Sequence, residues 1–295
     1  MKVLLTGSSG QLGREIINSN DDCYEVLIPS RDKLDLSNQL SCEKYIKENK
    51  PDYIINAGAF TSVDKAEIEK DLCYAINTQA PITFSKVIKE YGGKLLQIST
   101  DYVFDGKGGI PYKTKDSTNP ISVYGNSKAD AEENTKNILK ENSQLVILRT
   151  SWLMGKTGNN FINTMLKFHK QMKELPVVFD QKGAMTSTSD LAKVCWEIIK
   201  NWSLLKNHHI CHWTCDGITS WYDIAVEIGE IAEKFNLIKK SAKVIPIRSK
   251  DYKTLAKRPY YSVLDCHSTK NILNLKPKPW KGELNKIISQ IVEIN

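Results

Sequence analysis

No stretch of the sequence approaches the roughly 18 consecutive apolar residues that a membrane-spanning helix needs, which excludes a bundle of transmembrane helices. There is no dense basic block either. The 41 Lys and Arg against 34 Asp and Glu leave a net charge of +7, but the lysines are spread along the whole chain. That spread suits a solvated surface better than a nucleic-acid footprint, so neither nucleic acid nor membrane is expected as a partner. The surplus could still help attract a phosphorylated substrate. The seven cysteines are odd in number and scattered, against a disulfide framework and in keeping with reduced thiols. Cys211 and Cys215, with His208, His209 and His212 nearby, could begin a zinc site, but the second close pair such sites use is missing. The segment HICHWTC reads instead as an alternating strand, and no metal is expected. Internal repeats and low-complexity segments are absent. The opening MKVLLTGSSGQLG lacks the longer apolar region and small-residue cleavage site of a signal peptide. It reads as a first β-strand, and a cytoplasmic location is expected.

What is present is the balance of an ordinary globular protein: 41% hydrophobic and 25% charged residues in 295. Short apolar runs alternate with helical patterns. MKVLLTG, YEVLIPS, DYIINAG, KLLQIST and LVILRTS read as strands. Helices are expected over Gln11 to Asn18, in SCEKYIKENK, from about Asp71 into Tyr91, and from near Ser127. Such alternation implies right-handed crossovers and an α/β fold, a Rossmann-type doubly wound parallel sheet. Past Trp152 the alternation weakens into helical patterns at Asn160 to Lys170, Ser189 to Lys200 and Tyr222 to Phe235. We therefore expect a dinucleotide-binding domain over 1–152 and a smaller, mainly substrate-binding portion over 153–295, with segments at about 186–230 returning to the first domain.

Gly7-Ser8-Ser9-Gly10-Gln11-Leu12-Gly13 directly follows the first strand and opens a helix. A pyrophosphate needs backbone amides aimed at it, a helix N-terminus behind it and no Cβ in the way. Gly7 can make the turn, Gly10 admits phosphates and Gly13 lets helix and strand pack. Alone, a glycine triplet is weak; in this context it points to a dinucleotide. Where an NAD enzyme places an acid for the ribose 2′-hydroxyl, the second strand ends in Pro29-Ser30-Arg31. Arg31 can pair with a 2′-phosphate instead, favouring NADPH with NADH possible, or it can be a surface arginine. Asp35 and Leu36 could lie against the adenine, or Asp35 could be a solvated loop carboxylate. Ala57, Gly58, Ala59, Phe60 and Thr61 close the third strand with little steric obstruction to a cofactor.

Tyr124 and Lys128 stand one helical turn apart. Reduction of a ketone by hydride leaves an alkoxide that must take a proton. A tyrosine with an ordinary pKa near 10 matches neutral pH poorly unless a nearby ammonium stabilises the phenolate. The same lysine can hold the nicotinamide ribose. Ser99-Thr100-Asp101, at the end of the fourth strand, offers a hydroxyl to the reacting oxygen. Trp152, just past the fifth strand, could pack on a sugar face or be core. Arg258 could pair with a diphosphate, with Lys250 and Lys257 as competitors. Asn159, Asn160 and Gln181 are candidate polar pocket residues.

Hydroxyl, Tyr and Lys in this order after a glycine turn resemble the extended short-chain dehydrogenase/reductase superfamily. TGSSGQLG, PDYIINAGAFTSVDKAE, STDYVFDG, NPISVYGNSKADAE, LRTSWLMGKTGNNFINTM and KRPYYSVLD together are similar to the dTDP-4-dehydrorhamnose reductase family, over residues 1 to about 265. The resemblance implies Tyr124 as proton donor, Lys128 as the partner lowering its pKa and Thr100 as the hydroxyl orienting the carbonyl. It puts Gly10, Gln11, Leu12, Asp35, Leu36, Ala59, Phe60 and Thr61 on the dinucleotide, and Thr100, Asp101 and Trp152 on a dTDP-linked 4-keto-6-deoxy sugar. The implied product is dTDP-β-L-rhamnose; the same pair could serve another 4-keto-6-deoxy nucleotide sugar, and some relatives are non-catalytic regulatory subunits. Some members dimerise through magnesium held by glutamates in the region matching Ser187-Thr188-Ser189-Asp190. No glutamate stands there, so that metal and dimer are not expected, and the chain is read as a monomer or homodimer. Met185, in Gly183-Ala184-Met185-Thr186, replaces a proline usual in the family's turn there.

Overall fold

A computed structural model describes all residues except 21–22, 140–142, 207 and 295. The first half runs β1 (Lys2–Thr6), α1 (Gln11–Asn18), β2 (Glu25–Leu27), α2 (Gln39–Asn49), β3 (Tyr53–Asn56), α3 (Val63–Ala66), α4 (Lys70–Tyr74), α5 (Ala80–Tyr91), β4 (Lys94–Thr100), α6 (Val123–Leu139) and β5 (Leu145–Thr150). Then come β6 (Leu153–Met154), α7 (Phe161–Gln171), β7 (Glu174–Val178), β8 (Lys182–Gly183), β9 (Thr186–Ser187) and α8 (Thr188–Lys200). The chain ends with β10 (Ile210–His212), β11 (Thr219–Ser220), α9 (Trp221–Lys234), β12 (Lys243–Ile247), α10 (His267–Leu273) and α11 (Trp280–Ile294).

The main sheet has the order β10-β5-β4-β3-β1-β2, every pairing parallel. Its strands are apolar at consecutive positions because both faces are covered. Val3 and Leu5 face a layer containing Ile16 and Trp196, while Leu4 faces one containing Ile46, Phe84 and Ile88. β2 and β3 flank β1 on opposite sides, so the strand order reverses there and leaves a crevice at the carboxyl ends. That crevice positions the site.

A second core lies beyond the sheet, where α7, α9 and α11 enclose Ile162, Met165, Ile224, Ile228, Leu284 and Ile288 beside the parallel pair β7–β12. α8 packs on α1 instead, with the Trp196 indole donating to the Ile16 carbonyl at 3.0 Å. β10 joins the main sheet beside β5. Among the described residues no helix is long and apolar enough to cross a membrane.

Four elements differ from their sequence expectations. The second strand keeps only Glu25–Leu27, since the chain turns away into Pro29-Ser30-Arg31, and the strand in HICHWTC keeps only Ile210–His212. The helix expected from near Ser127 begins at Val123. Ser122 Oγ accepts the Gly125 amide at 3.1 Å and Glu67 accepts the Val123 amide at 2.9 Å, satisfying donors that a helix start leaves open. The helix expected from Asp71 to Tyr91 contains a π-helical turn, Ala75–Gln79. There Asn77 turns inward, taking the Phe60 amide at 2.8 Å and donating to the Phe60 carbonyl at 3.0 Å and to Ser127 Oγ at 3.1 Å.

Candidate active site

A cleft of about 610 Å³ runs along the carboxyl ends of β1, β3, β4 and β5. Gly7, Ser9, Gly10, Gln11, Leu12, Gly13, Ala57, Gly58, Ala59, Thr61, Thr100, Asp101, Tyr124, Lys128 and Trp152 all line it. It adjoins a pocket of about 240 Å³ that shares Gly7, Ser9, Gly58 and Ala59 and adds Arg31, Asp35 and Leu36.

The floor is shaped for close backbone approach. Gly7 has φ +68°, and a Cβ there would stand 2.6 Å from Gly58 Cα, so only glycine fits. A Cβ on Gly13 would run into the Gly7 carbonyl oxygen. Gly10 caps α1 without a side-chain bond, leaving first-turn amides for an anionic acceptor. These features fit a dinucleotide pyrophosphate. Arg31 is 80% exposed and lies 3.9 Å from Asp35, whose carboxyl is held below its usual range first by the Ser37 amide and then by the Ser37 hydroxyl. A guanidinium this exposed remains available to a 2′-phosphate.

The reactive groups stand at the ends of β4 and α6. Thr100 Oγ1 donates to Asp101 Oδ1 at 3.1 Å and accepts the Tyr102 amide at 3.2 Å. Burial pushes the Tyr124 phenol above its ordinary value; a hydrogen bond with Thr100 pulls it down, and Asp101 and Cys73 push it up. Lys128 is 3% exposed and donates to the Ile98 carbonyl at 2.6 Å. Burial lowers its ammonium to about 8, with Glu132 and Cys73 acting in the opposite direction. The hydrogen bond with Thr100 is the lowering influence on the phenol. Burial likewise raises the Asp101 carboxyl to about 7, against the hydroxyls of Ser262 and Thr100.

Trp152 is half-buried and forms one wall. Its indole stacks on Trp221 with centroids 4.0 Å apart, and Phe161 leans on Trp221 at 4.7 Å. Its φ of +45° is unusual for a large residue. A Cβ on Gly183 would come within 2.7 Å of the Trp152 ring, so the ring lies flat on bare backbone. Trp221, Phe161, Ser151 and Met154 also line the cleft, and the sequence reading missed them. Trp221 is the first residue of α9, inside the Ser220/Asp223 capping box, a signal that places the helix but not the cleft.

Several expected residues, Ser30, Phe60, Asn160, Arg258 and Gln181 among them, stand off these walls. Ser30 is exposed and its carbonyl accepts the Lys33 and Leu34 amides at 3.0 Å. Phe60 is engaged through its backbone by Asn77. Asn160 caps α7 and donates to Gln11 Oε1 at 3.0 Å, bracing the phosphate turn from behind. Arg258 is tied to Asp64 at 2.5 Å, and Asp64 also accepts the Leu255 and Ala256 amides. Gln181 lies between Ser249 and the Trp221 indole nitrogen, at 3.1 and 3.2 Å. Cys211 and His212 are buried strand residues, and among the described residues no group of three His, Cys, Asp or Glu could hold a metal ion. Met185 is fully buried in the second core.

The profile of one family, the RmlD substrate binding domain, matches residues 1–293. The chain is 37% identical to a dTDP-4-dehydrorhamnose reductase of Aggregatibacter actinomycetemcomitans, covering 97% of this chain and 98% of that one. A crystal structure of a dTDP-4-dehydrorhamnose reductase from Clostridium acetobutylicum superposes with TM-score 0.88 at 40% identity, covering 99% of this chain and 100% of that one. The Bacillus anthracis dTDP-4-dehydrorhamnose reductase in complex with NADP gives TM-score 0.87 at 31% identity, over 98% and 99% of the two chains.

Proposed function

Because the chain belongs to the dTDP-4-dehydrorhamnose reductase family, we propose that it reduces the C4 carbonyl of dTDP-4-dehydro-β-L-rhamnose with NADPH, giving dTDP-β-L-rhamnose. The observation that carries this reading is the convergence in one cleft of the glycine turn with Thr100, Tyr124 and Lys128. The bound dinucleotide supplies the hydride. Gly7, Gly10 and Gly13, with the first amides of α1, hold its pyrophosphate. Arg31 takes the 2′-phosphate, and NADH remains usable at lower affinity. Lys128 holds the nicotinamide ribose. Tyr124 donates its phenolic proton to the carbonyl oxygen as that oxygen becomes an alkoxide, with Thr100 orienting both oxygens through its hydroxyl. Asp101 and the Trp152 ring bound the sugar on the far side.

The assay that tests this reading is loss of reduced-nicotinamide absorbance with the 4-keto sugar nucleotide as substrate. Oxidation that depends on the keto sugar supports it; none, in a protein that binds NADPH, contradicts it. Arg31→Ala should raise KM for NADPH by about tenfold or more, on the scale of one charge-assisted hydrogen bond, with little change for NADH. Equal changes for both coenzymes would remove Arg31 from the 2′-phosphate.

A further inference from the structure

A buried charge network lies beneath the cleft, and none of the steps above uses it. The inward face of α6 carries Lys128, Glu132, Thr135 and Leu139, spaced at helical intervals and all buried. Glu132 sits one turn beyond Lys128. Its carboxylate is held from β5 by Arg149, with Nε–oxygen distances of 3.0 and 3.1 Å and an Nη2 contact of 2.6 Å. From β4, Ser99 donates its hydroxyl to the same carboxylate. Ser99 and Arg149 are direct partners in the β4–β5 register, so both reach Glu132 from one face of the sheet. Arg149 is braced further by His212 Nε2 at 3.3 Å and by the Phe104 ring, whose centroid is 5.0 Å from the guanidinium carbon. Glu132 is therefore fixed in position by partners on both strands.

Such a pair is a poor choice for stability alone. Removing two charges from water costs about as much as their attraction returns, and apolar residues of similar size would serve as well or better. What apolar residues could not supply is a negative charge one turn from a buried ammonium. Among the groups acting on Lys128, Glu132 and Cys73 favour its charged form and burial opposes it. Cys73, on α4, is hydrogen-bonded to Ser127 Oγ at 3.4 Å, and a thiol raised by burial stays neutral near pH 7. Tyr124, on the same helix, is also neutral there. That leaves Glu132, one turn along the same buried face of α6, as the carboxylate among these groups that favours the ammonium.

We propose that Glu132, locked by Arg149 and Ser99, is a positioning residue that keeps Lys128 charged in the floor of the cleft, so that the dinucleotide meets a cation rather than a neutral amine. The proposal rests on Lys128 being a dinucleotide contact, as in the proposed function, but not on the identity of the sugar.

The test is the dissociation constant of NADP+ measured by titration across neutral to alkaline pH, without sugar nucleotide. The wild-type protein should bind evenly up to about pH 8 and weaken above it, following Lys128. Glu132→Gln should move that weakening down by about one pH unit or more, which is roughly three- to fivefold in affinity between the two midpoints and approaches about tenfold above both. Because Glu132→Gln leaves Arg149 without its partner, Glu132→Leu combined with Arg149→Met provides a second variant with neither charge and a filled core. It should show the same downward shift, while Lys128→Met should abolish the pH dependence. A wild-type midpoint in the folded double variant would overturn the proposal, as would an unchanged pH curve in Lys128→Met. A protein that binds NADP+ in this pattern but leaves the 4-keto sugar untouched would overturn the substrate assignment alone.

Discussion

Tyr124→Phe is expected to lower kcat by roughly 10²- to 10⁴-fold, the usual contribution of a positioned proton donor, with NADP+ affinity changed by no more than about twofold. The substitution removes one hydroxyl and nothing else. The Phe ring can keep the edge-on contact with Tyr102, whose centroid lies 5.7 Å away at 76°, so the cleft wall stays in place. The hydroxyl that disappears is the one hydrogen-bonded to Thr100. Turnover and NADP+ titration on one preparation separate the two effects, since a distorted cleft would weaken binding as well. Turnover near the wild-type rate would show that another group delivers the proton.

Arg149→Met should cost roughly 3–5 kcal/mol of unfolding free energy, the scale for breaking a buried ion pair at one end. The guanidinium is 2% exposed and Glu132 is 5% exposed, so the orphaned carboxylate would keep only the Ser99 hydroxyl. Denaturant titration of the single variant should show a large fall in midpoint. The double variant Glu132→Leu/Arg149→Met should recover most of it, because an apolar pair needs no compensation. A single variant within about 1 kcal/mol of wild type would mean that water reaches the pair and that the network is not sealed.

The sequence revealed the parts of the fold whose signals are local. α1 occupies Gln11–Asn18 and β4 occupies Lys94–Thr100 as read from periodicity, and the glycine turn lies between strand and helix as its spacing requires. Helix starts were less legible where the capping groups come from far away, as with Glu67 on the Val123 amide, 56 residues distant. The aromatic wall was half-visible. Trp152 stands at a strand end, but its partner Trp221 is brought to it only by the packing of α9, and a tryptophan beginning a helix carries no mark of the cleft it faces. Arg258 and Asn160 are expected as ligand contacts because their chemistry suits one, and nothing in the sequence signals that they also bond to Asp64 and Gln11 across the fold. One usable signal went unread. An arginine inside LVILRT, a strand apolar enough to be covered on both faces, demands a buried counter-charge, and Glu132 on the preceding helix is the acid that answers it.

The most direct measurement is the structure of the product formed from dTDP-4-dehydro-β-L-rhamnose and NADPH deuterated at the transferred position, determined by NMR. Deuterium at C4 of a sugar with the L-rhamno configuration is the predicted result. A C4 epimer would contradict the assignment of this reduction, and deuterium at another carbon, or none in the sugar, would contradict hydride delivery to the carbonyl beside Thr100 and Tyr124.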